Sequence, residues 1–151
     1  MGDMCDIVCV LFLLTIVFVF FVLCTYCNKN QTVQIANWAI AAGFKPKDTV
    51  ALFMENRPEY IMTWLGLAKA GIVIALINSN NKKKPLIHSI SIANCSGLIF
   101  GSELTANVEG VLTELQETGI GLYSFADKGQ TSPSFATDLA NEVRFQQGVE
   151  F

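Results

Sequence analysis

Few residues in this chain have the type and spacing that chemistry demands. His88 is the only histidine. A nucleophilic triad would need a Ser or Cys and a carboxylate beside it, and no spacing in the sequence supplies them. Cys24-Thr25-Tyr26-Cys27 has the C-x-x-C spacing of a zinc knuckle or a redox pair. No second pair and no nearby His completes a metal site, so these read as small apolar residues at a membrane boundary. No G-x-x-x-x-G-K-[ST] and no G-x-G-x-x-G follows a strand-like run. Gly119-Ile120-Gly121 precedes a strand and so cannot present a helix N-terminus to a pyrophosphate. Gly101-Ser102 does open a helix after a strand, but Glu103 beside it opposes an anion, and helix capping is the expected role. Lys82-Lys83-Lys84 could touch phosphate or lipid headgroups and reads as a solvated face at a helix start. Glu55 and Arg57 flank a cap; Trp38 and Trp64 fit core-facing helix positions. No acid–base pair stands out. The residues alone therefore name no catalytic residue, no cofactor-binding residue and no metal ligand.

The elements that would have to position such residues alternate. Val33, Ala36, Ala39 and Ile40 make a helical stripe, stopped by Gly43. Thr49 to Met54 is a short apolar strand. Asn56 as N-cap, Pro58 in the first turn and Glu59 three residues on open a second helix, with Tyr60, Ile61, Trp64, Leu65 and Ala68 on its apolar face. Ile72 to Ile77 reads as a second buried strand after Gly71. Lys82 to Ile92 alternates at His88–Ile92, yet the neighbouring units need a crossover there, so a helix is expected. Gly97 to Phe100 is a third strand. Ser102 caps an amphipathic helix carrying Leu104, Val108, Val111, Leu112 and Leu115, and Gly119 stops it. Gly121 to Phe125 is a fourth short strand. This is the pattern of a parallel α/β layer covered on both faces. Three or four strands only partly cover themselves, so the sheet edges are expected to need a cap or a partner. Residues 127–151 show no stripe and read as a loosely ordered tail.

The N-terminus is a different material. Ile7 to Cys24 is apolar apart from Thr15. As a helix it spans about 27 Å, or about 31 Å if it runs on to Cys27, against a hydrocarbon core of about 30 Å. A cleaved signal peptide would need basic residues before the run and small residues after it. Asp3 and Asp6 precede it, and Leu23, Cys24, Thr25 and Tyr26 end it. An uncleaved transmembrane helix over 7–27 is expected, with 1–6 a non-cytosolic tail. Lys29, Lys45 and Lys47 on its far side place the globular part in the cytosol by the positive-inside rule. Cys5, Cys24 and Cys27 stand where palmitoylation occurs.

Composition sets the outer bounds. The 151 residues are 52% hydrophobic and 15% charged, with a formal net charge of −3. So apolar a chain is not a disordered one. So weak and acidic a charge is not that of a nucleic-acid module. Five cysteines, four of them in the first thirty residues, are not a disulfide framework.

One stretch says more than any motif. Asp48 to Ile90 contains VALFMENRPEY, WLGLAKAG, ALINSN and PLIHSI in that order. These blocks closely resemble the fatty acid transport protein family, the very-long-chain acyl-CoA synthetases of the adenylate-forming superfamily. QIANWAIAAGF (34–44) and GSELT (101–105) extend the resemblance over roughly residues 31–125. It implies that 30–126 is the first part of an AMP-binding domain behind an N-terminal membrane helix. It implies a single-pass protein of the endoplasmic reticulum or plasma membrane, acting on long-chain fatty acids. The family reaction uses ATP and Mg²⁺ to form an acyl-adenylate, from which coenzyme A displaces AMP. That ATP site rests on a Ser/Thr/Gly-rich loop ending in Lys. The nearest stretch here, GQTSPS (129–134), lacks the second Gly and the Lys. No family catalytic residue maps onto this chain. The expected roles are a non-catalytic part of such a ligase or a membrane-tethered partner of full-length relatives.

Overall fold

The computed structural model describes residues 29–126 and 131–145. The elements in chain order are α1 (Lys29–Ala41), β1 (Thr49–Phe53), α2 (Pro58–Lys69), β2 (Val73–Leu76), α3 (Lys84–Ile92) and β3 (Gly97–Gly101). A 3₁₀ turn (Ser102–Leu104) follows, then α4 (Thr105–Glu109), α5 (Leu112–Thr118), β4 (Gly121–Phe125), β5 (Thr137–Asp138) and α6 (Leu139–Phe145). The five strands form one parallel sheet in the order β2-β1-β3-β4-β5.

The central strands β1 and β3 are apolar at nearly every position because both faces of the sheet are covered. Side chains alternate along each strand. Val50 and Leu52 of β1 and Ile99 of β3 therefore lie under α1, α2 and α6. Ala51, Phe53, Leu98 and Phe100 lie under α3, α4 and α5 on the opposite face. The chain crosses from β1 to β2 on the first face and returns to β3 on the second. That reversal puts a topological switch point between β1 and β3, where open α/β sheets form a crevice at the carboxyl ends of their strands.

Glycine decides how the first face packs. A Cβ on Gly66 would come 2.7 Å from Ile35 Cβ and 2.9 Å from the Thr32 carbonyl oxygen. The two helix backbones touch at that point, which only glycine allows. The contact turns Met62, Thr63, Gly66 and Leu67 inward. The stripe of Tyr60, Ile61, Trp64, Leu65 and Ala68 is not the buried face, and Trp64 is 41% exposed. α1 is corrected in the same way. It buries Ile35, Ala36, Trp38 and Ala39, while Val33 and Ile40 of the expected stripe face outward.

Other expectations shift for identifiable reasons. The N-cap of α2 is Arg57 in an extended conformation, with no side-chain cap bond, so Asn56 and Glu59 form no capping box. Gly101 rather than Ser102 occupies the N-cap of the 3₁₀ turn, and no side chain caps it. The 104–115 stripe is real, since Leu104, Val108, Val111 and Leu115 are all buried. It is carried by two short helices, because Val111 leaves the helical conformation (φ −135°, ψ 15°). β2 is an edge strand, not a buried one. Gly119 stops α5 in the left-handed conformation (φ 70°) as its position predicts.

Residues 137–145 are not a loose tail. Thr137 and Asp138 pair with β4. Leu139, Ala140 and Val143 are buried. The Trp38 indole N–H donates to Glu142 Oε2 at 3.1 Å, tying α6 back to α1. A seven-residue helix is too short to be stable or legible by itself, and tertiary contacts hold it. The expected membrane helix at 7–27 lies outside the described residues. No described helix is long and apolar enough to cross a membrane.

Candidate functional site at the strand ends

Two described loops lead away from the strand ends at the switch point. β1 is followed by Met54, Glu55, Asn56 and Arg57, and β3 by Ser102 and Glu103. Arg57 Nη1 lies 3.1 Å from Glu103 Oε2. Arg57 Nη2–H donates to the Phe125 carbonyl at the end of β4 at 3.2 Å. The guanidinium carbon sits 5.8 Å from the Phe125 ring centroid. The Glu55 backbone N–H donates to Glu103 Oε1 at 2.9 Å. Glu59 Oε2 stands 3.8 Å from Arg57 Nε. One carboxylate and one guanidinium thus clamp the carboxyl ends of β1, β3 and β4. Both are largely withdrawn from water, with side chains 16% and 23% exposed, so the pair is worth more than a surface ion pair.

These residues are the ones composition and motifs passed over. Glu55 and Arg57 look like cap neighbours in the sequence. The available signal is position: both follow directly on an apolar strand, where parallel sheets place their sites. Glu103 does what its charge predicts, and a Cβ on Gly101 would run into its carboxylate. Ser124, fully buried at the end of β4, is hydrogen-bonded to Ser132 of the GQTSPS stretch.

His88 and the lysine run lie elsewhere. α3 presents them to a groove of about 570 Å³ against the α4–α5 junction, floored by Ile87 and Val111. Lys83, Lys84 and His88 stand on one wall and Glu114 on the other. His88 is exposed, as expected of a helix-surface residue. Trp38 is buried as expected and Trp64 is not. Cys24 and Cys27 lie outside the described residues. Among the described residues no group of His, Cys, Asp and Glu can hold a metal ion.

The family model of the AMP-binding enzymes matches residues 24–147. The chain belongs to this family. Within the AMP-binding enzymes it is 43% identical over 91 residues to long-chain fatty acid transport protein 1 of Rattus norvegicus, covering 60% of this chain and 13% of the relative. It is 35% identical over 112 residues to long-chain fatty acid transport protein 6 of Homo sapiens, covering 68% and 18%. The resemblance to fatty acid transport proteins thus holds in full-sequence comparison, over less than a fifth of those relatives' length. The fold matches the anthranilate CoA ligase AuaEII, solved with anthranoyl-AMP, with a TM-score of 0.67 at 17% identity, covering 76% of this chain and 21% of the ligase.

An AMP-binding family implies ATP and Mg²⁺, and the described crevice does not fit them. An incoming triphosphate would meet Glu55, Glu59 and Glu103 around a single guanidinium already committed to Glu103. No loop of convergent backbone N–H groups replaces the missing cradle among the described residues. No adenylation step is derived from these side chains.

Proposed function

We propose that this chain is a membrane-anchored, non-catalytic portion of the fatty acid transport protein type, carrying the opening α/β layer of the AMP-binding domain. The parent activity is ATP-dependent ligation of long-chain and very-long-chain fatty acids to coenzyme A, coupled to uptake. The carrying observation is that the AMP-binding family match, residues 24–147, spans the whole sheet that builds the switch point. In that sheet the Arg57–Glu103 ion pair ties the ends of β1, β3 and β4 together, and the absence of a base or anion cradle among the described residues supports the non-catalytic reading. The domain plan is a tail over 1–6, a membrane helix over 7–27, and the α/β layer over 30–126, extended by β5 and α6. Carbonate extraction of membranes from cells expressing the full chain tests the anchor. Retention in the pellet, with the α/β layer open to protease from the cytosolic side, is expected. Release into the supernatant, or protection from cytosolic protease, would overturn the anchor or its orientation.

The bare edge of β2 favours a second reading, a tethered partner that docks on full-length relatives. Co-purification of such a relative with the full chain from the same detergent-solubilised membrane is its expected outcome. Absence of the relative under conditions that keep the chain folded would count against it.

A further inference from the structure

α1 and α2 cover the same face of the sheet and touch at Gly66, so their outward sides form one surface. α1 turns Val33, Asn37 and Ile40 outward at helical spacing, with Ile40 61% exposed. α2 turns out Trp64 and Ala68, with Ile61 and Leu65 half-buried beside them. This is the stripe that its sequence offers as a buried one. α2 is thus apolar on both sides, and such a helix calls for a cover. No charged residue occurs from Asn30 to Phe44 or from Tyr60 to Ala68. Exposed bases stand together at one end: Lys45 and Lys47 follow α1, Lys69 closes α2, and the Lys47 backbone N–H donates to the Gly71 carbonyl at 2.8 Å. The nearby acid, Asp48, accepts from the Lys45 backbone N–H. α6, the third helix on this face, exposes Glu142, which the Trp38 indole engages. The opposite layer has no comparable uncharged span, since Glu109, Glu114 and Glu117 are exposed on α4 and α5.

We propose that this surface lies flat on the bilayer that the N-terminal segment enters, with Ile40, Ile61 and Trp64 among the lipid headgroups and Lys45, Lys47 and Lys69 against their phosphates. The inference rests on the membrane-anchored reading above. The length of the intervening chain selects the occupant. The apolar run ends at Cys24, and the five residues from there to Lys29 reach at most about 17 Å. The start of α1 is therefore held close to the membrane, whereas a second copy or another protein has to be met by diffusion. The attached end does not itself face the lipid. α1 ends where Phe44 packs on Gly97 at the amino ends of the strands, so it starts toward their carboxyl ends. Glu55, Glu59 and Glu103 gather there, and an anionic surface repels them. The tether at one end of α1 and the bases at the other hold the helix pair parallel to the bilayer. The amphipathic ring of Trp64 suits that depth.

Fluorescence quenching by brominated lipid tests it on the full chain, reconstituted in vesicles of phosphatidylcholine and phosphatidylserine at about 4:1. Bromines just below the headgroups quench an indole that reaches them. The chain has two tryptophans and Trp38 is buried, so Trp64→Phe isolates the signal. The intact chain should lose about a third of its emission on going from plain to brominated lipid, and Trp64→Phe less than about a tenth. Ile40→Glu combined with Ile61→Glu should cut the quenching about threefold or more. Ile40→Glu alone takes its place if the double variant loses its far-ultraviolet dichroism. Carbonate extraction of the same vesicles reads the anchor separately. A chain that is retained but unquenched at Trp64 overturns the surface and leaves the anchor; a second copy or another protein seated on α1 and α2 gives this result. A chain released by carbonate but quenched beforehand keeps the surface and overturns the anchor. One that is both released and unquenched overturns both. Undiminished quenching in a folded Ile40→Glu variant would also overturn the proposal.

Discussion

The Arg57–Glu103 pair shows what one charge pair does when it is sheltered. It joins loops from β1 and β3, and Arg57 also reaches the last carbonyl of β4. A double-mutant cycle on Arg57→Ala and Glu103→Ala should give a coupling of about 1–2 kcal/mol by denaturant unfolding. Additive losses would mean that the clamp is not formed. Glu103→Gln should lose less than Glu103→Ala, because an amide oxygen still accepts from Glu55 N–H. Two other residues set an alkaline limit. Burial raises the Cys95 thiol above its ordinary 9.0. Burial and, second, the charge of Glu142 raise the Tyr123 phenol above its ordinary 10.0. The folded chain holds these protons longer than the unfolded chain does. Their contribution to stability is therefore flat below about pH 9 and is lost as pH rises through the raised folded values. Burial also raises Tyr60, so Tyr123→Phe should reduce, without abolishing, the part of the loss that begins above pH 10, and a thermal midpoint unchanged up to pH 11 would refute this. None of these pairings was legible in the sequence. Arg57 and Glu103 meet only because two parallel strands end side by side. His88 was legible as a surface residue because its neighbours on α3 already define the buried side.

At the scale of elements, existence was easier to read than orientation. β1, β3 and β4 stand within a residue or so of where their apolar runs place them. The faces of α1 and α2 were misread because the inward residues of α2 include Gly66 and Thr63, which a count of large apolar residues ignores. Gly66→Ala should cost about 1–3 kcal/mol by overpacking against Ile35. In an exposed helix the same change would be stabilising, so the sign of the effect decides whether α1 and α2 touch. α6 was missed for the opposite reason. Its local signal is weak, and its stability comes from burying Leu139 against the sheet. Leu139→Ala should cost about 2–5 kcal/mol in the same denaturation assay. A cost near zero would return residues 137–145 to the status of a loose tail.

At the scale of the molecule, alternating apolar runs and helices imply a parallel sheet, and the structure provides one of five strands. Strand order is not written locally. β2 looks like a core strand in sequence because VIAL is uniformly apolar, and only the reversal of the chain at the switch point puts it at the edge. The AMP-binding enzyme family is legible from the VALFMENRPEY and WLGLAKAG blocks, while the Arg57–Glu103 pair that bridges the strand ends is not. Together these support the proposal made above, that this chain carries the family's opening layer and does not itself perform the ligation. The direct measurement incubates the purified full chain with ATP, Mg²⁺, coenzyme A and a long-chain fatty acid, and follows AMP and acyl-CoA. The account predicts no more of either than a matched preparation lacking the chain. Acyl-CoA formation that scales with the amount of chain and falls in Arg57→Ala would contradict it.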